Sequence, residues 1–136
     1  PTQNVKVGDI SGCLNKGYIG IRFNGKHYLA HRLAWLYVTG KMPKDMIDHI
    51  DGKPFNNKIN NLREATPAEN QQNERKPRKN NVSGYLGVHW NIKDRKYYAK
   101  INKQKQSIHI GPFDCPKEAH EAYLKVKREI HSFCTI

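Results

Sequence analysis

Five consecutive residues, Asp48-His49-Ile50-Asp51-Gly52, carry the clearest chemistry in the chain. An acid and an imidazole stand side by side after the short apolar run Met46-Ile47 and just before a turn. A carboxylate holds a hard cation through oxygen, and a neutral imidazole takes a proton from water near pH 7. An Asn-rich stretch follows, from Asn56-Asn57 through Asn60-Asn61-Leu62-Arg63, and then a short polar helix candidate with Asn70 and Asn73. Acid, base and amide ligands on a basic chain point to metal-assisted cleavage of nucleic acid.

The background composition agrees. The 136 residues carry 24 basic and 12 acidic side chains, a formal net charge of +12, with a pI near 9.7. The excess is shared, with net charge about +7 up to residue 79 and +5 beyond it. That balance favours a polyanionic partner and argues against an acidic regulatory tail. Only 37% of residues are apolar and mean hydropathy is −0.86. The length suits one ordinary domain or two small, individually marginal ones. Cys13, Cys115 and Cys134 are widely spaced and form no Cys-x-x-Cys pair, which disfavours a structural zinc site and suits a reducing compartment. No run reads as a membrane span or signal peptide, so the expected location is cytoplasmic.

Several elements must position these residues. Residues 1–17 read as irregular. Tyr18–Phe23 and Lys26–Leu29 flank Asn24-Gly25, a strong hairpin signal because both turn residues need positive φ. Ala30, Leu33, Ala34 and Tyr37 recur at helical spacing, with Gly40 as the stop. Met46–Asp48 and Leu62–Ala65 read as short strands. Thr66-Pro67-Ala68-Glu69 reads as a capped helix start that places Asn70 and Asn73 one turn apart on one face. Residues 76–82 form a basic, Pro-containing linker, dividing the chain into 1–75, the linker, and 83–136. The last part has strand candidates at 85–90, 95–102 and 107–113. A helix with an apolar stripe through Ala119, Ala122, Tyr123, Val126, Ile130 and Phe133 follows, with Cys115 at its cap position.

His31-Arg32-Leu33, Ile47–Gly52, Asn56-Asn57, Asn60–Arg63 and Glu69-Asn70-x-x-Asn73, taken in order, resemble the HNH endonucleases of phage and intron homing enzymes. The resemblance implies an α+β fold: an N-terminal hairpin and helix leading into a ββα-metal HNH unit. It implies His49 as general base, Asp48 as carboxylate metal ligand and Asn70 as second ligand. Asn70 stands where many members have His, and its carbonyl oxygen suits Mg²⁺ or Mn²⁺ better than zinc. Asn73 is a further candidate for the metal, a water or a phosphate. Asn61 has a structural role, tying the loop and orienting the base. His31, Arg32 and Arg63 are candidate DNA contacts, although His31 also reads as a packing residue. Asp51 reads as a turn former more than a ligand.

Ser83–Trp90, Tyr98–Ile101, Ile108–Asp114 and Glu118–Tyr123 resemble the plant ethylene-response-factor (Apetala-type) DNA-binding domain. That resemblance implies a three-stranded antiparallel sheet packed on one helix, with the sheet entering the major groove of double-stranded DNA. Candidate contacts are His89, Trp90, Lys93, Arg95, Lys96, Tyr98, Lys100, Asn102, Lys103 and Lys105; Trp90 reads equally as core. His89 and Asn102 depart from the basic residues usual there, so the plant family's target does not carry over. Together the readings describe a metal-dependent DNA endonuclease, nicking as a monomer, with a C-terminal reading sheet. The alternative is a non-catalytic sequence-specific DNA-binding protein.

Overall fold

The computed structural model describes residues 12–15, 17–103 and 106–136. Backbone contacts divide the chain into two compact units, Pro1–Pro67 and Ala68–Ile136.

In the first unit, strands β1 (Cys13–Asn15), β2 (Tyr18–Phe23) and β3 (Lys26–Leu29) form an antiparallel sheet in the order β1-β2-β3. The β2–β3 turn is built as its sequence demands, with φ 46° at Asn24 and 73° at Gly25. β1 is a difference from the expected irregular start: its three residues, all exposed, pair with Tyr18–Gly20. Too short to show alternation, it exists because β2 offers it a free edge. Helix α1 (Ala30–Thr39) ends at Gly40, whose φ is 71° and whose N–H donates to Leu36 O at 2.8 Å.

Strands β4 (Met46–His49) and β5 (Leu62–Ala65) then pair antiparallel, Met46 opposite Ala65 and His49 opposite Leu62. Ile47, Leu62 and Ala65 are buried with Asp48, His49, His31 and Asn61. The interior of this unit is therefore organised as much around polar site residues as around apolar ones.

Helix α2 (Pro67–Gln72) starts at the expected proline. Asn73 falls just beyond it, in a turn where its N–H donates to Asn70 O at 3.1 Å, rather than one turn along the same helix. The unit boundary falls earlier than the basic stretch 76–82. The reason is that residues 72–75 are fastened to the end of the chain. Lys127 Nζ donates to Glu74 O at 2.6 Å, Thr135 Oγ1 donates to Asn73 Oδ1 at 2.7 Å, and Arg75 bonds Thr135.

The second unit continues with β6 (Val88–Asn91), β7 (Lys96–Lys103) and β8 (Gln106–Phe113), an antiparallel sheet in that order, and α3 (Pro116–Ile130). Leu86, Ala99, Ile101 and Tyr123 form its core, with Leu124, Val126 and Ile130 against it. β6 starts later than expected because residues 81–87 form a bonded turn instead. The stripe on α3 stops at Ile130, so Phe133 lies past the helix, and Cys115 caps it without a side-chain hydrogen bond.

Candidate active site

The loop joining β4 to β5 is a closed hydrogen-bond network centred on Asp51 and Asn61. Asp51 Oδ1 accepts from Lys53 N at 2.8 Å and from Asn61 Nδ2 at 2.9 Å, and its Oδ2 accepts from Asn56 Nδ2 at 2.8 Å. Asn61 Oδ1 accepts from Asp51 N at 3.0 Å, and Asn61 Nδ2 also reaches Asn56 O at 2.8 Å. Gly52, at φ 68°, turns the chain. The bonds from Asn56, Lys53 and Asn61 favour the carboxylate and pull the Asp51 pKa down to about 2. Asp51 is thus occupied in holding the loop.

That loop delivers Asn57 to His49. His49 Nε2 lies 2.9 Å from Asn57 Oδ1. A carboxamide oxygen only accepts, so Nε2 must carry the hydrogen, and in the neutral ring the basic lone pair is on Nδ1. The ring is also held by aromatic neighbours. His31, from the first turn of α1, meets it edge to face at 5.1 Å between centroids, and Tyr18 of β2 lies 5.4 Å from His31 and 6.2 Å from His49. His31 is 5% exposed, and its Nδ1 is buried with no hydrogen-bond partner among the described residues. Burial first, then the nearby His49 and Arg32, pull its pKa down to about 4, so it is neutral at physiological pH. These contacts place His31 buried beside His49 and not on an exposed surface.

Arg32 donates to Asp45 O at 2.8 Å and Pro43 O at 3.1 Å, which fastens α1 to the segment entering β4. Arg63 stands directly opposite Asp48 across the β4–β5 pair, and its Nη2 and Nε lie 2.7 and 2.8 Å from Asp48 Oδ2. Asp48 is only 6% exposed. Both arginines expected at DNA therefore make structural bonds around the site. Asp48 and His49 are the last two residues of β4; regular alternation would send them to opposite faces, and the strand's end before the Asp51-Gly52 turn is what lets both serve one site.

Asn70 is part-buried on α2, in the second unit, and Asn73 is buried, its carboxamide oxygen bonded to Thr135. Among the described residues no group of three His, Cys, Asp or Glu side chains converges as a metal site. The donors the motif offers are one carboxylate and carboxamide oxygens. Such oxygen donors fit a hard divalent cation that keeps water and substrate oxygens.

Residues 28–72, which include His31, Asp48, His49, Asn57, Asn61, Arg63 and Asn70 but not Tyr18 or Asn73, match the HNH endonuclease family. Protein 3.8 of Escherichia phage T7 is 32% identical over 102 residues, covering 74% of this chain and 83% of that protein. The chain carries an HNH endonuclease domain. An uncharacterised HNH endonuclease of Acanthamoeba polyphaga mimivirus is 32% identical over 107 residues, 78% of this chain and 54% of its own. An SPbeta prophage-derived protein of Bacillus subtilis, named as an HNH homing endonuclease, is 42% identical over 55 residues, 40% of this chain and 32% of its own. No solved structure matched. That domain makes the chain a nuclease and implies a DNA substrate and a divalent metal ion. Among the described residues no helix is long and apolar enough to cross a membrane.

In the second unit of this nuclease, alternation along β7 sends Ala99 and Ile101 to the core and Tyr98, Lys100 and Asn102 to the open face. His89 joins them from β6, its ring 6.1 Å from Tyr98 and 6.3 Å from His109. Burial, His109 and Lys100 lower the His89 pKa. Trp90 takes the opposite register, 4.7 Å from Tyr97, and stays 41% exposed. Lys93 and Arg95 are exposed in the β6–β7 turn, Lys96 pairs with Asp114, Lys103 is exposed near the end of β7, and Lys105 lies outside the described residues.

The roles of Asn57 and Tyr18 were missed in the sequence. Asn57 stood within the Asn-rich motif, but nothing there distinguished it from Asn56 or Asn60. Tyr18 reads only as a strand residue, and no signal marks its contact.

Proposed function

We propose that this HNH endonuclease hydrolyses phosphodiester bonds of double-stranded DNA one strand at a time, with His49 as general base. The observation that carries the reading is the bond between His49 Nε2 and Asn57 Oδ1, which directs basicity to Nδ1 at the end of β4, next to Asp48. In this account His49 Nδ1 takes a proton from water as the water oxygen attacks phosphorus in line with the leaving 3′-oxygen. The new P–O bond forms, the P–O3′ bond breaks, and a proton passes to the 3′-oxygen, leaving 5′-phosphate and 3′-hydroxyl ends. Asp48 would be the carboxylate ligand of one Mg²⁺ or Mn²⁺, and the family resemblance assigns the carboxamide ligand to Asn70. When bound, that ion supplies charge stabilisation at the phosphate and the departing oxygen. Arg63 keeps Asp48 oriented, and Asn61 and Asp51 keep the loop that carries Asn57 in place.

The open face of the β6–β8 sheet, with His89, Tyr98, Lys100 and Asn102, is the proposed reading surface. Support comes from its exposure, its basic character and the resemblance of this unit to ethylene-response-factor domains. Lysines there position through phosphate, and Asn102 is suited to adenine. One site per chain cleaves one strand per visit, so the monomer nicks. Incubating a random duplex library with Mg²⁺ or Mn²⁺ and sequencing the ends tests this reading. It predicts 5′-phosphate ends at a recurring sequence on one strand, and uncut DNA under both metals overturns it.

A further inference from the structure

The stretch 76–82, with Lys76, Arg78 and Lys79, has the composition of a flexible spacer. The structure gives it anchors instead. Asn81 Nδ2 donates to Val88 O at 3.2 Å and to Tyr85 O at 3.0 Å, and Ser83 Oγ donates to Val88 O at 2.9 Å. Gly84 N donates to Asn81 Oδ1 at 3.1 Å, and Asn81 N to Arg78 O at 2.9 Å. Val88 belongs to β6, an outer strand of the sheet, so these side chains occupy a carbonyl on an edge that otherwise invites pairing.

Between the anchored stretch and β6 runs a groove of about 700 Å³. Arg78, Asn80, His89, Trp90, Lys100 and Asn102 are among the residues that line it. Glu74 is the acid at its margin, and Val82, 94% exposed, and Ile92, 82% exposed, stand along it without apolar cover. Cationic side chains, carboxamides and exposed apolar side chains along one groove fit a sugar-phosphate strand. Guanidinium and ammonium groups meet phosphate, and apolar side chains cover sugar.

We infer that this groove seats one backbone of the DNA duplex, with Arg78 and Asn80 completing a contact surface begun by Lys100 and Asn102. The inference rests on the sheet-reading proposal and extends it to residues outside the sheet. Arg78 binds phosphate, and the Asn81 and Ser83 bonds hold it at the edge of the face. The anchored stretch acts as a wall of the reading surface and not as a tether.

The test is binding of the full chain to a fluorescent 30-base-pair duplex without added metal, followed over a range of salt concentrations. Each lost phosphate contact flattens the log–log salt slope by about 0.9. Arg78→Ala and Lys100→Ala are each expected to flatten it by about that amount. Lys125→Ala, an equal charge change at an exposed position on α3, should leave it unchanged. The paired change Asn81→Ala with Ser83→Ala removes no charge and should still bring the slope to that of Arg78→Ala. If Arg78→Ala behaves like Lys125→Ala while Lys100→Ala flattens the slope, the groove inference fails and the sheet proposal survives. If Arg78→Ala and Lys100→Ala are both silent, both fail. Equal competition by duplex RNA overturns the DNA assignment of the groove.

Discussion

His49 Nε2 and Asn57 Oδ1 are 2.9 Å apart, and this contact decides which nitrogen of the neutral His49 ring carries the hydrogen. The carboxamide oxygen can only accept, so Nε2 is the donor and Nδ1 the proton acceptor. Replacing Asn57 by Ala frees the ring to change tautomer and tilt. Displacements of about 1 Å at a reacting group cost roughly 100-fold, so Asn57→Ala should lower kcat by about that factor with little change in KM. Asn57→Asp keeps an oxygen acceptor and should retain most activity. ¹⁵N NMR of the His49 ring checks the cause: the Nε2–H form should dominate in the wild type and lose its dominance in Asn57→Ala.

The ion pair between Arg63 and the nearly buried Asp48 is a stability element as well as a site element. Hydrogen bonds to charged groups contribute about 1.5–3 kcal/mol. Arg63→Ala should therefore lower unfolding free energy by an amount in that range, measured by urea denaturation. Arg63→Lys retains the charge but not the two-nitrogen geometry and should fall between the two proteins.

Asp51 sets an acid limit on the loop. Its folded-state pKa is about 2, below the ordinary 3.8, because Asn56, Lys53 and Asn61 donate to the carboxylate. A depressed carboxylate pKa means that the unfolded chain binds the proton more readily. The stabilisation is complete above about pH 4 and is lost as pH falls through 3.8 towards 2. Urea melts between pH 5 and pH 2 should show this loss. Asp51→Asn should be less stable at neutral pH and show a shallower acid dependence over the same range.

Gly87 fixes the contact between the β6–β8 sheet and α3. Its φ is 76°, and a Cβ there would lie 2.2 Å from Tyr123 Cε2. Gly87→Ala should destabilise the second unit by more than about 2 kcal/mol, combining left-handed backbone strain with overpacking. A lowered thermal transition by circular dichroism would show it, and an unchanged one would contradict the packing described.

Much of this was legible in the sequence because the signals were local. Asn24-Gly25 needs only its own φ angles, Gly40 only its own helix, and the strand–turn–strand around Asp48 only alternation and a Gly. Asp51 and Asn61 were readable as loop residues for the same reason. What local patterns did not carry were contacts across elements. His31 and Arg32 looked available for phosphate until α1 was seen to aim one at His49 and the other at the Pro43 and Asp45 carbonyls. Lys127 falls beside an apolar stripe, yet it is 1% exposed and bonded to Glu74 O, a partner 53 residues away. The stretch 76–82 read as a linker because its composition is a linker's, while its anchors, Asn81 and Ser83, act through a strand carbonyl that sequence does not mark.

The most direct test of the central claim, that His49 is the base of a metal-dependent nicking enzyme, is a supercoiled plasmid assay with wild type and His49→Ala in Mg²⁺, Mn²⁺ or EDTA. Open circles should precede linear DNA with the wild type in either metal and be absent in EDTA. His49→Ala should still shift the plasmid on a gel but leave it uncut. Cleavage by His49→Ala near the wild-type rate, or undiminished cleavage in EDTA, would contradict the account.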